Sequence, residues 1–404
     1  MIQPNNQVLD NNFGEVVSQA PLGATPADQQ LKGNPSTKNY KMSMMNPVKR
    51  NKKRSVDIKK TDNSKQRSQL LDAFSWSVLE KEISGLKKEY KEDVAKIIPK
   101  KEECVAFHSR EVAEKNRNPF VPCLDLSRCP ILTVPPSESY IHANYISSVN
   151  SPKRYIATQA PLDGTVVDFW RLIIQEKTDH IVMLCNFREK NVSKCAEYFP
   201  VEYDKLKSIG EFKITLTKKF HVRADESITC YSLNVSHLNG DHSVKVFHWT
   251  NWPETGHPPI TGTALTLYAG VYTSNHPVVV HCSSGVRRTG IWLMVALFMD
   301  VINEGKIEND SILKLSKKLR KQRAGAIVND VDYVFIHRLI FQQLINKQII
   351  ASSQRLLEFF DDYEMASKKA DKLEKANNQK MTIENDDLNQ KPPNMPAALP
   401  PTNF

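Results

Sequence analysis

The sequence predicts an α+β fold, a twisted mixed β-sheet flanked by helices on both faces. Three observations predict it. Residues 180–185 and 276–281 are continuous apolar runs, the pattern of central strands covered on both faces. Residues 212–250 alternate apolar and polar in three stretches, as hairpin strands with one covered face do. The remaining apolar residues recur at helical spacing in segments too long for strands.

Taken in order, residues 1–70 are rich in Asn, Gln, Lys, Ser and Pro with few aromatics and no apolar period, so they are expected to stay unstructured. A folded region over 71–350 is long enough to bury a sizeable core. Its helical spacing predicts helices over 74–97, 165–177, 260–273, 289–304, 310–323 and 331–350. Its strand-like runs lie at 140–147, 153–158, 180–185, 212–219, 227–236, 243–250 and 276–281. Residues 351–379 read as a charged amphipathic helix packing on this region or on a partner. Residues 380–404 read as a second, Pro-rich unstructured tail.

Charge is concentrated at one end. Residues 1–70 carry 12 Lys and Arg against 5 Asp and Glu, which accounts for most of the chain's net +10. The basic pI near 9.1 therefore describes a tail. The cluster Lys49–Arg54 suits a nuclear-import signal, an adhesive patch for RNA or acidic lipid, or a solubilising tail. Nucleic acid is not an expected partner of the folded region. Seven cysteines at irregular positions, without a secretory leader pattern, predict a reducing compartment, cytoplasmic or nuclear. No Cys/His spacing suggests zinc, and no run of 18 apolar residues is present to span a membrane.

Residues 278–290, Val-Val-Val-His-Cys-Ser-Ser-Gly-Val-Arg-Arg-Thr-Gly, carry the chemistry. A loop between a strand end and a helix start aims backbone N–H groups at one point, where the helix dipole also favours negative charge. Cys282 in such a loop has a stabilised thiolate and becomes a nucleophile. Ser283, Ser284, Gly285, Val286 and Arg287 form the cradle, and Arg288 can grip two phosphate oxygens with its planar fork.

The spacing His281-Cys282, five residues, Arg288-Thr289 resembles the signature of the classical cysteine-dependent protein tyrosine phosphatases. Tyr140–Tyr145, Tyr155–Leu162 and Asp168–Arg171 resemble framework segments of the same family, and the likeness extends over residues 75–348. The wording of Val121–Asp125 and Tyr140–Tyr145 resembles that of small nematode members. The resemblance implies hydrolysis of phosphotyrosine on signalling proteins through a cysteinyl-phosphate, with neither cofactor nor metal. It assigns Cys282 as nucleophile, Arg288 as phosphate clamp and Thr289 as the hydroxyl that eases departure of the thiolate. His281 is a supporting residue; Glu189 would orient Arg288, and Lys194 would steady the acid.

Residues His248–Pro258 resemble the mobile acid loop, with one change. The family places an aspartate after Trp-Pro, whereas this chain has Glu254, whose carboxyl reaches about one ångström further, a misplacement worth on the order of a hundredfold in rate. Further positions depart. Asn118 and Phe120 replace an aromatic wall and a backbone-holding Asp in the loop that grips phosphotyrosine. Val328 and Asp332 fall where two water-positioning glutamines are expected, and an anion at 332 would repel the phosphoryl group or orient water. Arg287 replaces a glycine and would add charge for anion binding. Three readings follow: a slow phosphatase that accumulates phosphoenzyme, a pseudophosphatase that binds phosphorylated partners, and a shallow pocket that prefers phosphoserine, phosphothreonine or a non-protein phosphate. Pro393-Asn394-Met395-Pro396 matches an SH3-type ligand.

Overall fold

The structure, a computed structural model, describes residues 53–390. The expected tail before 53, most of the basic cluster Lys49–Arg54 and the Pro-rich stretch at 392–396 lie outside them. In chain order the elements are α1 (Lys53–Glu89), β1 (Ala143–Ile146), β2 (Tyr155–Gln159), α2 (Val166–Gln175), β3 (His180–Met183), the small hairpin β4 (Arg188–Glu189) and β5 (Val192–Ser193), then β6 (Leu206–Ile209), β7 (Phe212–Val222), β8 (Asp225–His237) and β9 (Gly240–Trp249). They continue with α3 (Thr263–Val271), β10 (Val278–Cys282), α4 (Arg287–Asn303), α5 (Ser311–Gln322), α6 (Asp330–Asn346) and α7 (Gln354–Gln390).

Eight strands form one mixed sheet in the order β1-β2-β10-β3-β9-β8-β7-β6. Strand β10 lies parallel between β2 and β3, and β3 lies parallel to β9. The strands from β9 to β6 are antiparallel. All five residues of β10 are buried, which is why it opens on three valines before the buried His281 and Cys282. The hairpin strands alternate because one face is wet. The carboxyl end of β10 is thus at the middle of the sheet, the usual place for a ligand crevice in such sheets.

Helices α4, α5 and α6 pack on one side with the N-terminal helix, whose Leu71, Phe74 and Val78 are buried. That helix breaks at Glu82 (φ 55°, ψ 178°) and ends in a wide turn over Tyr90–Val94.

Several elements differ from expectation. Residues 53–70 are helical rather than unstructured, and α7 runs on to Gln390, past the predicted end at 379. Both extensions lack an apolar stripe. Each grows outward from an anchored turn, Leu71–Val78 in one case and Leu356, Phe359 and Tyr363 in the other, because each added residue gains a backbone bond once a nucleus exists. Strand β6 and the β4–β5 hairpin were not anticipated: they are only four and two residues long per strand and mostly exposed, too short to carry a period.

Candidate active site

The cradle is built by one glycine and one buried arginine. Strand β10 delivers Cys282 to its end, nearly buried at 3% exposure, and the chain turns back at once into α4. The turn needs Gly285, which has φ +71° and sits so close to the neighbouring strand that a Cβ would lie 2.2 Å from the Thr158 carbonyl oxygen. Arg323 then holds the loop from behind. Fully buried, it donates from Nε to the Gly285 carbonyl (3.0 Å) and from Nη2 to the Ser284 carbonyl (3.1 Å). It also donates from Nη1 to Asn144 Oδ1 (2.8 Å) and His142 Nδ1 (2.9 Å). With its carbonyls drawn outward, the loop turns N–H groups inward, and the Gly285 amide donates to Cys282 Sγ at 3.2 Å. Val286 precedes the first turn of α4, so Arg288 and Thr289 stand at a helix N-terminus.

His281 is buried, and burial first of all brings its pKa down to about 3. The neutral ring donates from Nδ1 to the Cys282 carbonyl (3.3 Å), and its Nε2 accepts from the Tyr198 hydroxyl (3.0 Å). It orients the strand end and adds no charge. Among the described residues the buried Thr289 Oγ1 has no hydrogen-bond partner.

Arg288 is pre-oriented. Its Nη1 and Nη2 meet Glu189 Oε1 and Oε2 at 2.6 and 2.9 Å, a two-point pair, and Glu189 Oε1 is itself held by the Asn186 amide (3.1 Å). Nη1 also donates to the Leu184 carbonyl and Nη2 to the Pro253 carbonyl, each at 3.0 Å. Burial opposes the arginine's charge, but the bond and charge of Glu189 outweigh it and hold the pKa above its ordinary value.

The bond to Pro253 brings the acid loop onto the cradle. Glu254, next along the chain, lies 2.8 Å from Lys194 Nζ and 3.4 Å from Lys190 Nζ. The Lys194 hydrogen bond is the largest influence on its carboxyl and, with Lys190, holds it below the usual carboxylate range. That direction favours the ionised carboxylate near neutrality.

Asp332 corrects two expectations. Asn329 caps α6 by accepting from the Asp332 amide (2.7 Å), which sets Asp332 in the first turn, where the helix dipole favours an anion. Its side chain is fully buried; both oxygens take Arg287 Nε, at 3.1 and 3.2 Å, and Oδ1 takes His257 Nε2 at 2.9 Å. A carboxylate so engaged is not a loose charge facing a phosphoryl group. Arg287 in turn directs its Nε to Asp332, so its charge is not simply added to the cradle's. Val328 is 49% exposed and carries no donor. Its neighbour Ile327 has φ 62°, rare strain for a β-branched residue, with its carbonyl held by Tyr90 and Arg320. Phe120 is 88% exposed and Asn118 Oδ1 accepts from the Phe120 amide, so neither walls a deep slot.

Residues 112–342, more than half of the chain, match the model of the protein-tyrosine phosphatase family. The chain belongs to that family. Among curated tyrosine phosphatases, it is 34% identical over 222 residues to human receptor-type tyrosine-protein phosphatase zeta, a match that covers 52% of this chain and 9% of that protein. Against human tyrosine-protein phosphatase non-receptor type 12 the identity is 32% over 297 residues, covering 71% of this chain and 36% of the other. The chain thus spans well under half the length of these relatives. The solved catalytic domain of human protein tyrosine phosphatase non-receptor type 18 superposes with a TM-score of 0.58 at 27% identity, over 69% of this chain and 99% of that domain. No helix among the described residues is long and apolar enough to cross a membrane.

The structure brings to this site residues to which the sequence assigned no role. Arg323 was visible only as the last residue of the helix expected over 310–323, and nothing in its neighbours signals a buried guanidinium with four acceptors. His257 lay inside the acid-loop segment without a partner, and Tyr363 lay in the terminal helix.

Proposed function

We propose that this chain hydrolyses phosphotyrosine on proteins through a cysteinyl-phosphate, with its first step better equipped than its second. The observation that carries this reading is the two-point Arg288–Glu189 pair beside Cys282, which holds the clamp before substrate arrives. In the first step Cys282 Sγ attacks phosphorus, the bond to the tyrosine oxygen breaks, and Glu254 gives that oxygen its proton. In the second, water attacks phosphorus, Glu254 takes the water's proton and the S–P bond breaks. Thr289 Oγ1, unpartnered and adjacent to Arg288, is the hydroxyl that would stabilise the returning thiolate.

The second step is the weaker one because Val328 offers no donor and the Asp332 oxygens are engaged by Arg287 and His257. Phosphoenzyme should accumulate. Stopped-flow hydrolysis of an aryl phosphate tests this: a burst of phenol close to one equivalent, followed by slow turnover and absent in Cys282→Ser, is the expected trace. Asp332, with Asn118 and the exposed Phe120, favours a second reading, a phosphopeptide-binding pseudophosphatase. Tight phosphopeptide binding with no Cys282-dependent hydrolysis would select it. Phosphotyrosine proteins are the proposed partners. Nuclear import through Lys49–Arg54 and an SH3-type contact through 393–396 belong to the same proposal.

A further inference from the structure

Helix α7 reaches the acid loop. Leu356, Phe359 and Tyr363 are buried on its inner face, with Phe359 edge-on to Phe341 of α6 (5.5 Å) and the Arg338 guanidinium 3.5 Å above Phe360. The helix then passes the trailing end of the loop. Gly256, at φ +76°, is so close that a Cβ there would stand 3.0 Å from Asp371 Oδ1. The next residue, His257, stacks on Phe335 of α6 with ring centroids 4.0 Å apart, and Phe335 stacks in turn on Tyr363.

Polar contacts follow the same line. The Tyr363 hydroxyl lies 3.1 Å from His257 Nδ1, and His257 Nε2 lies 2.9 Å from Asp332 Oδ1. A neutral imidazole with its proton on Nε2 satisfies both: it donates to the carboxylate and accepts from the phenol. Burial pushes the Tyr363 pKa up, so the hydroxyl stays a donor. Asp332 passes the chain on to Arg287, next to the phosphate clamp.

Glu254 therefore stands between two anchors. On one side the Pro253 carbonyl accepts from Arg288, and on the other His257 is held by Tyr363 and Asp332. We propose that His257 and Tyr363 are positioning residues of the acid loop: the chain Tyr363–His257–Asp332–Arg287 fastens the loop's trailing end to α7 and to the cradle, and so holds Glu254 over the leaving group. This rests on the reading of Glu254 as the acid.

The test uses the full chain as wild type, Tyr363→Phe and His257→Ala, with two substrates. Phosphotyrosine needs a proton on its leaving oxygen, whereas a dinitrophenyl phosphate expels a stable phenolate unaided. Tyr363→Phe keeps the ring stacked and should lower kcat/KM for phosphotyrosine by about fivefold, the scale on which one hydrogen bond biases an equilibrium, while leaving the dinitrophenyl ester within about twofold. His257→Ala should do the same more strongly. An equal fall on both substrates, or no fall on either, overturns the proposal. Hydrogen exchange over residues 252–258 reads the tether without turnover: faster exchange in Tyr363→Phe supports it, and unchanged exchange overturns it. If the wild type hydrolyses neither substrate, the proposed activity fails, and the exchange measurement then decides by itself whether the tether exists.

Discussion

Arg287 Nε sits 3.1 and 3.2 Å from the two oxygens of Asp332, 45 residues further along the chain. The two positions that depart most in charge from a tyrosine phosphatase cradle thus compensate each other. Asp332 is fully buried and accepts from both Arg287 and His257, so removing its carboxylate takes a buried acceptor from two donors. Asp332→Ala should therefore lower unfolding free energy by about 2 kcal/mol, measured by urea denaturation. It should not accelerate turnover, as it would if the carboxylate repelled the phosphoryl group.

Gly285 should tolerate no side chain. Its left-handed φ costs a non-glycine residue about 1 kcal/mol, and a Cβ only 2.2 Å from the Thr158 carbonyl oxygen would force the loop to move as well. Gly285→Ala should abolish vanadate binding by calorimetry, with a smaller loss of global stability, since the sheet behind the loop is untouched.

The pH profile should be displaced to the acid side. In the proposed mechanism Glu254 acts in its protonated form, and Lys194 with Lys190 lowers its pKa. The protonated fraction is present below that depressed pKa and is lost as pH rises through it, so kcat/KM for phosphotyrosine should fall before neutrality. Lys194→Met removes the largest lowering influence and should move this falling limb to higher pH. A limb that stays in place in Lys194→Met would assign it to another group.

Restoring a side-chain amide at 328 should help the second step. Val328 is half exposed, so Gln fits without repacking the core. Val328→Gln should raise steady-state kcat by about tenfold, part of the penalty a misplaced group imposes, and should shrink the burst by the same cause. Rapid-quench measurement of trapped phosphoenzyme checks both.

Much of the architecture was readable in the residues. The runs at 180–185 and 276–281 announce central strands because burial on both faces leaves each an unbroken apolar stretch, Ile181–Cys185 and Val278–Val280. The hairpins at 212–250 alternate because only one face is covered. The loop that brings Cys282, Gly285 and Arg288 together was readable too, since its geometry is local. The helical extensions at 53–70 and 380–390 were not, because propagation from an anchored turn leaves no apolar period behind.

Sequence alone thus pointed to the family of folds, to the loop that carries Cys282 and Arg288, and to the glutamate at 254. The folded chain decided which charges meet. Asp332 reads as an isolated anion until α6 turns it to Arg287 and to His257, 75 residues away. Arg323 reads as the end of a helix until burial gives it two cradle carbonyls, and Tyr363 as a helix residue until α7 lies against residues 256–257. The physical reason is the same in each case. Periodicity and loop spacing are carried by neighbours in the chain, whereas the pairing of a buried polar group depends on which distant element closes over it.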